Sequence, residues 1–214
     1  MAAIATQLAI FDCDGVLVDS ERLANRIFAE LLTEAGLPTT FEDSVSTYLG
    51  RSLPASLALA AERLGRPLPP DLASEYHARL FDAFARDLEP VPGVVAALDA
   101  LTCPLCVASS GSRQRVERAL AVTGLAGRFA GAVFSADDVA RAKPLPDLYL
   151  HAADVLHKDP SGCVVVEDSP AGVKAAVAAG MRALGYADLV PAGELAAEGA
   201  TVFTDMADLP DLIM

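Results

Sequence analysis

The sequence predicts an α/β fold: a Rossmann-like, doubly wound parallel sheet core with an inserted helical cap domain. Three observations carry this expectation. Short β-rich apolar runs alternate with helical patterns over most of the chain, the signature of a parallel sheet covered by helices. The alternation breaks once, from about Glu21 to Asp87, where the pattern is helical throughout. Unusual polar residues stand where the strands end, and parallel sheets bind ligands at the carboxyl ends of their strands.

The first strand is the apolar run Leu8–Phe11. In the insert that follows, Leu23, Ile27, Phe28, Leu31 and Leu32 recur at helical spacing, as do the apolar positions of Leu57–Leu64 and Leu72–Phe84. Gly36-Leu37-Pro38 and Gly65-Arg66-Pro67-Leu68-Pro69-Pro70 supply the turns between them. Glu89-Pro90-Val91-Pro92-Gly93 then stiffens the return to the sheet. The core is therefore assigned to residues 1–19 and 88–214, and the cap to residues 20–87. Beyond the cap, strands are expected at Leu105–Ser109, Ala132–Phe134, Cys163–Glu167, Ala183–Tyr186 and Thr201–Phe203. Helices are expected at Arg113–Val122, Pro146–Leu156, Pro170–Ala179 and Met206–Leu212. Ser169-Pro170 reads as a helix start, with serine as N-cap and proline at the first helical position.

With 214 residues and 53% hydrophobic content, the chain can bury a full core in one or two domains. It contains no apolar run of the ~18 residues a membrane span needs. Its start, Met1-Ala2-Ala3-Ile4-Ala5-Thr6-Gln7, lacks the basic and long apolar regions of a secretory signal, so a cytoplasmic protein is expected. A net charge of −13 argues against nucleic acid, whose phosphates it would repel. Any anionic ligand then needs local positive charge, from a metal or from placed cations. The four cysteines do not make a disulfide framework in a chain this size. Cys103-Pro104-Leu105-Cys106 has the spacing of half a zinc site, but no second pair follows. Cys106 and Cys163 lie in apolar runs, where a thiol acts as a small hydrophobe. His77, His151 and His157 are too scattered to form a histidine metal site.

The most informative stretch is Phe11-Asp12-Cys13-Asp14-Gly15. In extended backbone, residues i and i+2 point to one face, so Asp12 and Asp14 would stand side by side. Like charges that close repel unless a cation or a shared proton relieves them. Gly15 permits a bend where the strand ends. The other strand ends carry Ser109-Ser110-Gly111-Ser112, then Ser135-Ala136-Asp137-Asp138 with Arg141-Ala142-Lys143-Pro144 behind it, and Glu167-Asp168-Ser169-Pro170. Each has an ordinary structural reading: a turn, a helix N-cap, a solvated loop cation, an acidic helix start. Together, in this order and at strand ends, they argue for one site.

In these residues the whole chain resembles the haloacid dehalogenase-like superfamily. The family's four motifs match Asp12-x-Asp14-Gly15, Ser109, Lys143 with Pro144 and Asp147 behind it, and Glu167-Asp168-Ser169. Within the superfamily the chain is most similar to the branch of β-phosphoglucomutases and sugar-phosphate or phosphogluconate phosphatases. The resemblance implies that Asp12 is the nucleophile, forming an aspartyl-phosphate, and that Asp14 is the acid and base. It implies Mg²⁺ held by the Asp12 carboxylate, the Asp14 backbone carbonyl and Asp168, with Glu167 either a direct ligand or an acceptor behind the ligands. Ser109 and Lys143 would hold phosphate oxygens, and backbone N–H groups of Asp14, Gly15 and Ser110 would complete the cradle. The expected substrate is a small phosphorylated sugar, polyol or sugar acid, over which the cap would close. A monomer would suffice, since one chain carries both cap and core.

Dehalogenation needs no second aspartate, so Asp14 with the Glu167-Asp168 pair argues for phosphoryl transfer. The alternative on this scaffold is a β-phosphoglucomutase-like phosphomutase, which uses a cap histidine a few residues past Asp19-Ser20. Glu21-Arg22-Leu23-Ala24 carries none. Gly50-Arg51-Ser52 is the loop expected to read the substrate, with Arg51 as its cation. A serine hydrolase would need a base near Ser109 or Ser110, and no Gly-x-Ser-x-Gly elbow occurs. A catalytically idle module would be expected to have lost a motif residue, and none is missing.

Overall fold

The structure is a computed structural model, and it describes residues 6–51, 53–129 and 131–214. The Met1–Ala5 start and Ser52, expected in the cap loop with Gly50 and Arg51, lie outside the described residues. The chain divides into two compact units: the residues up to Val18 with Glu89–Met214, and Asp19–Leu88.

The first unit is built on six parallel strands: β1 (Leu8–Phe11), β2 (Leu105–Ser109), β3 (Val133–Ser135), β4 (Cys163–Glu167), β5 (Arg182–Tyr186) and β6 (Thr201–Phe203). Their order is β3-β2-β1-β4-β5-β6, so the chain runs outward from β1 on one side, then crosses back to β4 on the other. In open parallel sheets ligands bind at such a reversal, outside the carboxyl ends of the strands. Pairing sets the strand ends level: Phe11 is opposite Val107 on one side and Val166 on the other. Asp12, Ser109 and Glu167 consequently lie on three adjacent strand ends.

Because side chains alternate along a strand, β1 serves two layers. Leu8 and Ile10 pack with Cys106, Ala108, Val165, Leu148 and Val173 in one cluster. Phe11 meets Phe129 edge-on at 6.3 Å. Such fully buried side chains each contribute roughly 1.5–3 kcal/mol. Cys106 and Cys163 sit in this core, on β2 and β4, as small buried groups.

The second unit is helical: α1 (Ser20–Glu34), α2 (Phe41–Tyr48), α3 (Leu53–Leu64) and α4 (Leu72–Asp87). Leu23, Ile27 and Leu31 of α1 pack with Ala83, while Phe28 and Leu32 pack with Tyr48, Ala60 and Leu72. Phe28 is flanked edge-on by Tyr48 at 5.1 Å and Tyr76 at 5.6 Å. Arg79 clamps α4 to α1 through a bidentate contact with Glu34 at 2.8 and 2.9 Å.

The remaining helices belong to the first unit: α5 (Val94–Ala100), α6 (Arg113–Val122), α7 (Asp147–Val155), α8 (Pro170–Ala178), α9 (Ala192–Ala197) and α10 (Leu209–Ile213). Ser169 caps α8 by accepting from the Gly172 N–H at 3.0 Å, with Pro170 in the first turn. Several expected bounds shift by one residue: the third strand is Val133–Ser135 rather than Ala132–Phe134, the fifth starts at Arg182 rather than Ala183, α7 is Asp147–Val155 rather than Pro146–Leu156, and α8 ends at Ala178 rather than Ala179. The helix expected over Met206–Leu212 is a 3₁₀ turn at Met206–Asp208 followed by α10. Among the described residues, no helix is long and apolar enough to cross a membrane.

Candidate active site

Three of the motif segments meet at a buried ion cluster. Lys143, from the segment between β3 and α7, puts Nζ 2.6 Å from Asp12 Oδ1, 2.7 Å from Glu167 Oε1 and 3.0 Å from the Ala108 carbonyl. Only 4% of the lysine side chain is open to solvent. Its ammonium has three hydrogens, and these three acceptors use all of them. Burial works against the Lys143 charge, but Asp12 and Glu167 outweigh it and hold its pKa well above the ordinary lysine value.

Glu167 is held from both sides. Oε1 accepts from Lys143 and from the Tyr149 hydroxyl at 2.9 Å. Oε2 accepts from the Asp168 N–H, the Ser169 N–H and the Ser169 hydroxyl at 3.0, 2.9 and 2.8 Å. Burial opposes its ionisation, yet Lys143 and the Ser169 donors keep its carboxyl below the usual range. The Lys143 ammonium also lies 4.8 Å from the centroid of the Tyr149 ring. With both oxygens engaged by donors, Glu167 has the contacts of an acceptor behind the site, the second of the two parts the sequence left open for it.

Asp12 is the opposite case. Burial pushes its carboxyl up to about 7, although Lys143 pulls it down. Two carboxylates share one ammonium here, and the deficit of positive charge falls on Asp12. Asp14 follows past Cys13, and its Oδ1 accepts from Arg115 at 2.9 Å. Gly15 takes φ +78°, the left-handed bend that favours glycine. It also leaves room for Asp168, since a Cβ on Gly15 would overlap the Asp168 carboxylate. Asp168, carried on the β4 end, is thereby brought against the turn that follows β1.

Two phosphate contacts expected from the sequence are differently occupied. The Gly15 N–H donates to the Val18 carbonyl at 2.9 Å, so it closes the turn instead of facing a ligand. Lys143 spends its hydrogens on Asp12, Glu167 and Ala108, so a phosphate oxygen would have to replace one of them. Ser109 is buried at the end of β2 and its Oγ accepts from the Gly111 N–H at 3.1 Å, which leaves its hydroxyl hydrogen to donate. Ser110 follows at the exposed end of that strand. Arg51 lies in the other unit, beyond α2, with its Nε on the Thr47 carbonyl at 3.0 Å.

The donor set suits a hard cation. Asp12 and Asp168 supply carboxylates and the Asp14 carbonyl is the same kind of oxygen, the chemistry Mg²⁺ selects. The raised Asp12 carboxyl is a second sign of fit, because a cation there would restore its ionised form. Among the described residues, no three His, Cys, Asp or Glu side chains form a metal cage. Mg²⁺ commonly binds through one or two carboxylates, with water and substrate phosphate completing the shell.

Two residues at the site, Tyr149 and Arg115, escaped the sequence reading. Tyr149 lies in a helix whose buried face is otherwise Leu148, Ala152 and Ala153. A buried tyrosine among them needs a hydroxyl partner, which was the available signal. Arg115 stands in the first turn of α6, where a cation opposes the helix macrodipole.

Comparison with known proteins places this geometry. A family model described as haloacid dehalogenase-like hydrolase matches residues 6–180. The 6-phosphogluconate phosphatase of Escherichia coli (strain K12) is 30% identical over 210 residues, covering 96% of this chain and 94% of that protein. A conserved haloacid dehalogenase-like protein of Agrobacterium tumefaciens str. C58 superposes with a TM-score of 0.91 at 39% identity, over 98% of both chains. A HAD family hydrolase from Deinococcus radiodurans R1, solved with bound phosphate and sodium, gives a TM-score of 0.88 at 30% identity, over 96% of this chain and 94% of that one.

Proposed function

The chain belongs to the haloacid dehalogenase-like hydrolases, and from that premise we propose that it is a Mg²⁺-dependent phosphatase of small phosphorylated sugars, polyols or sugar acids. The observation that carries the reading is the buried Lys143 ammonium bridging Asp12 and Glu167. It keeps an anionic nucleophile and an anionic ester in one site by neutralising part of their charge. The substrate class rests on the similarity to a 6-phosphogluconate phosphatase.

In this reading Asp12 attacks phosphorus while the bond to the leaving alcohol breaks, and the proton on Asp14 passes to the alcohol oxygen. A water then attacks the aspartyl-phosphate, giving its proton to Asp14 as the bond from phosphorus to Asp12 breaks. Asp14 thus ends as it began. The Ser109 hydroxyl donates to a phosphate oxygen, with the Ser110 N–H as a further donor. Asp12, Asp168 and the Asp14 carbonyl would hold Mg²⁺, which when bound supplies positive charge to the phosphoryl oxygens. Lys143 and Glu167 fix the Asp12 carboxylate. Arg51 is the cap residue assigned to substrate choice.

Many parts are needed because phosphate monoesters are among the slowest esters to hydrolyse, with enzymic accelerations of up to ~10²¹. One acid/base group contributes about 10²–10⁴, so positioning and electrostatics supply most of the rest. The test is phosphate release from a panel of sugar, polyol and sugar-acid phosphates, with Mg²⁺ and with EDTA. The expected result is release that EDTA abolishes and Mg²⁺ restores. Conversion of β-glucose 1-phosphate to glucose 6-phosphate without net phosphate release would replace the phosphatase by a mutase.

A further inference from the structure

The two arginines in the first turn of α6 stand against the helix dipole, and no acidic residue of that turn relieves them. Their partners differ. Arg113 serves the fold: its guanidinium donates to the Val133 carbonyl at 2.9 Å and to both oxygens of Asp138 at 2.9 and 2.7 Å. Arg115 reaches 101 residues back along the chain to Asp14 Oδ1, at 2.9 Å. Ser112 caps the helix by accepting from the Arg115 N–H at 3.4 Å, which sets the backbone from which this arm extends. The arm passes the serine loop closely. A Cβ on Gly111 would lie 3.7 Å from Arg115 Cδ and 3.4 Å from Ser109 Oγ.

The contact has little value for stability. The Arg115 side chain is 44% exposed and that of Asp14 22%, and ion pairs this open to water contribute little. Its consequence is orientation. A carboxylate on a loop can turn about two torsions, and a contact from an arm rooted on a capped helix restricts that turning.

We propose that Arg115 is a positioning residue for Asp14, holding its carboxylate at the angle from which it exchanges a proton with the leaving oxygen. This rests on the reading of Asp14 as acid and base. Arg115 acts through Asp14 and makes no bond to the reacting atoms.

The test uses the full chain with Mg²⁺ and two substrates. p-Nitrophenyl phosphate has a leaving group that departs without a proton, whereas 6-phosphogluconate releases an alcohol that needs one. The readout is kcat/KM, which reports events up to departure of the leaving group. Arg115→Gln is expected to lose about tenfold more kcat/KM on 6-phosphogluconate than on p-nitrophenyl phosphate, a fraction of the 10²–10⁴ of an acid/base group. Arg115→Lys should recover part of that loss, and both variants should melt like the parent. Equal losses on the two substrates, or a change confined to the KM for 6-phosphogluconate, would overturn the proposal. Asp14→Asn separates the two ideas. If it shows no difference between the substrates, the acid/base reading of Asp14 itself falls. If it does and Arg115→Gln does not, only the positioning role falls.

Discussion

Lys143 Nζ and Asp12 Oδ1 stand 2.6 Å apart, with 4% and 9% of their side chains exposed. A pair this buried is costly to assemble and more costly to break. Removing the ammonium would leave Asp12 and Glu167 as neighbouring buried carboxylates. Lys143→Met is therefore expected to lose about 3–5 kcal/mol of core stability as well as activity. Urea unfolding followed by circular dichroism checks this, and an unchanged midpoint would mean that the cluster is not what orders the site.

Asp12 should make the metal-free protein less stable as pH rises. Its carboxyl keeps its proton up to about 7 in the folded state, against 3.8 in the unfolded chain. Between those values the folded state binds more protons, so stability falls with rising pH, and the cost is complete above the folded value. Asp12→Asn carries no such cost. In EDTA its melting temperature should match the parent's near pH 4 and exceed it at pH 8, by about 2–4 °C for each kcal/mol relieved. Turnover should be abolished at both. A constant difference across pH would contradict the buried, proton-holding Asp12.

Gly172→Ala distinguishes a helix position from a site position. In a helix interior the change normally stabilises by roughly 0.5–1 kcal/mol. At Gly172 the new Cβ would overlap the Glu167 carboxylate. The expected result is a destabilisation of about 1–3 kcal/mol, the usual size for overpacking, together with lost activity as Glu167 moves off Lys143. A variant that melts higher and keeps its activity would show that Glu167 has freedom to move.

These relationships explain what the sequence could and could not convey. The sheet was legible because Leu8–Phe11, Leu105–Ser109 and Cys163–Glu167 are apolar runs that stop at polar residues, and pairing them side by side brings those residues together. Helix α2 falls inside the expected helical insert, but its bounds were not legible. Phe41-Glu42-Asp43-Ser44-Val45-Ser46-Thr47-Tyr48 has poor helix formers, and it is held by the Thr40–Asp43 capping box and by Tyr48 against Phe28. The short α5 and α9 likewise lack the length that makes a period visible. Within the site, residue types were legible and, apart from Lys143 beside Asp12, their partners were not. Glu167 and Lys143 could be picked out as polar residues, but five donors onto one carboxylate and three acceptors around one ammonium are facts of the fold. Tyr149 and Arg115 owe their importance to contacts 18 and 101 residues away.

Asp168 and Glu167 are neighbours with different expected parts. Asp168→Asn should raise the Mg²⁺ concentration needed for half-maximal phosphate release by about tenfold or more, since even residues behind metal ligands alter affinity by 10–100-fold. Glu167→Gln would put an amide NH₂ among donors and is expected to lower stability as well. Metal titration of each variant with parallel melting curves separates the two. Equal effects on Mg²⁺ with no loss of stability for Glu167→Gln would return Glu167 to the ligands.

Arg51 has two readings that one variant can separate. Its Nε donates to the Thr47 carbonyl near the end of α2, where a cation also suits the helix dipole. If that is its whole part, Arg51→Ala loses about 0.3–1 kcal/mol and hydrolyses every substrate as before. If Arg51 reads the substrate, a charged hydrogen bond of about 1.5–3 kcal/mol is lost. That corresponds to roughly tenfold to a hundredfold in kcat/KM. The loss should then fall on sugar-acid phosphates and spare p-nitrophenyl phosphate, which offers the guanidinium nothing beyond the phosphate itself. The second outcome is expected. Arg51→Lys sharpens it: lysine keeps the charge without the planar fork, so preference among sugar acids should narrow while the melting temperature stays with the parent's. A loss of equal size on both substrate types would leave the choice of substrate to residues of the other unit.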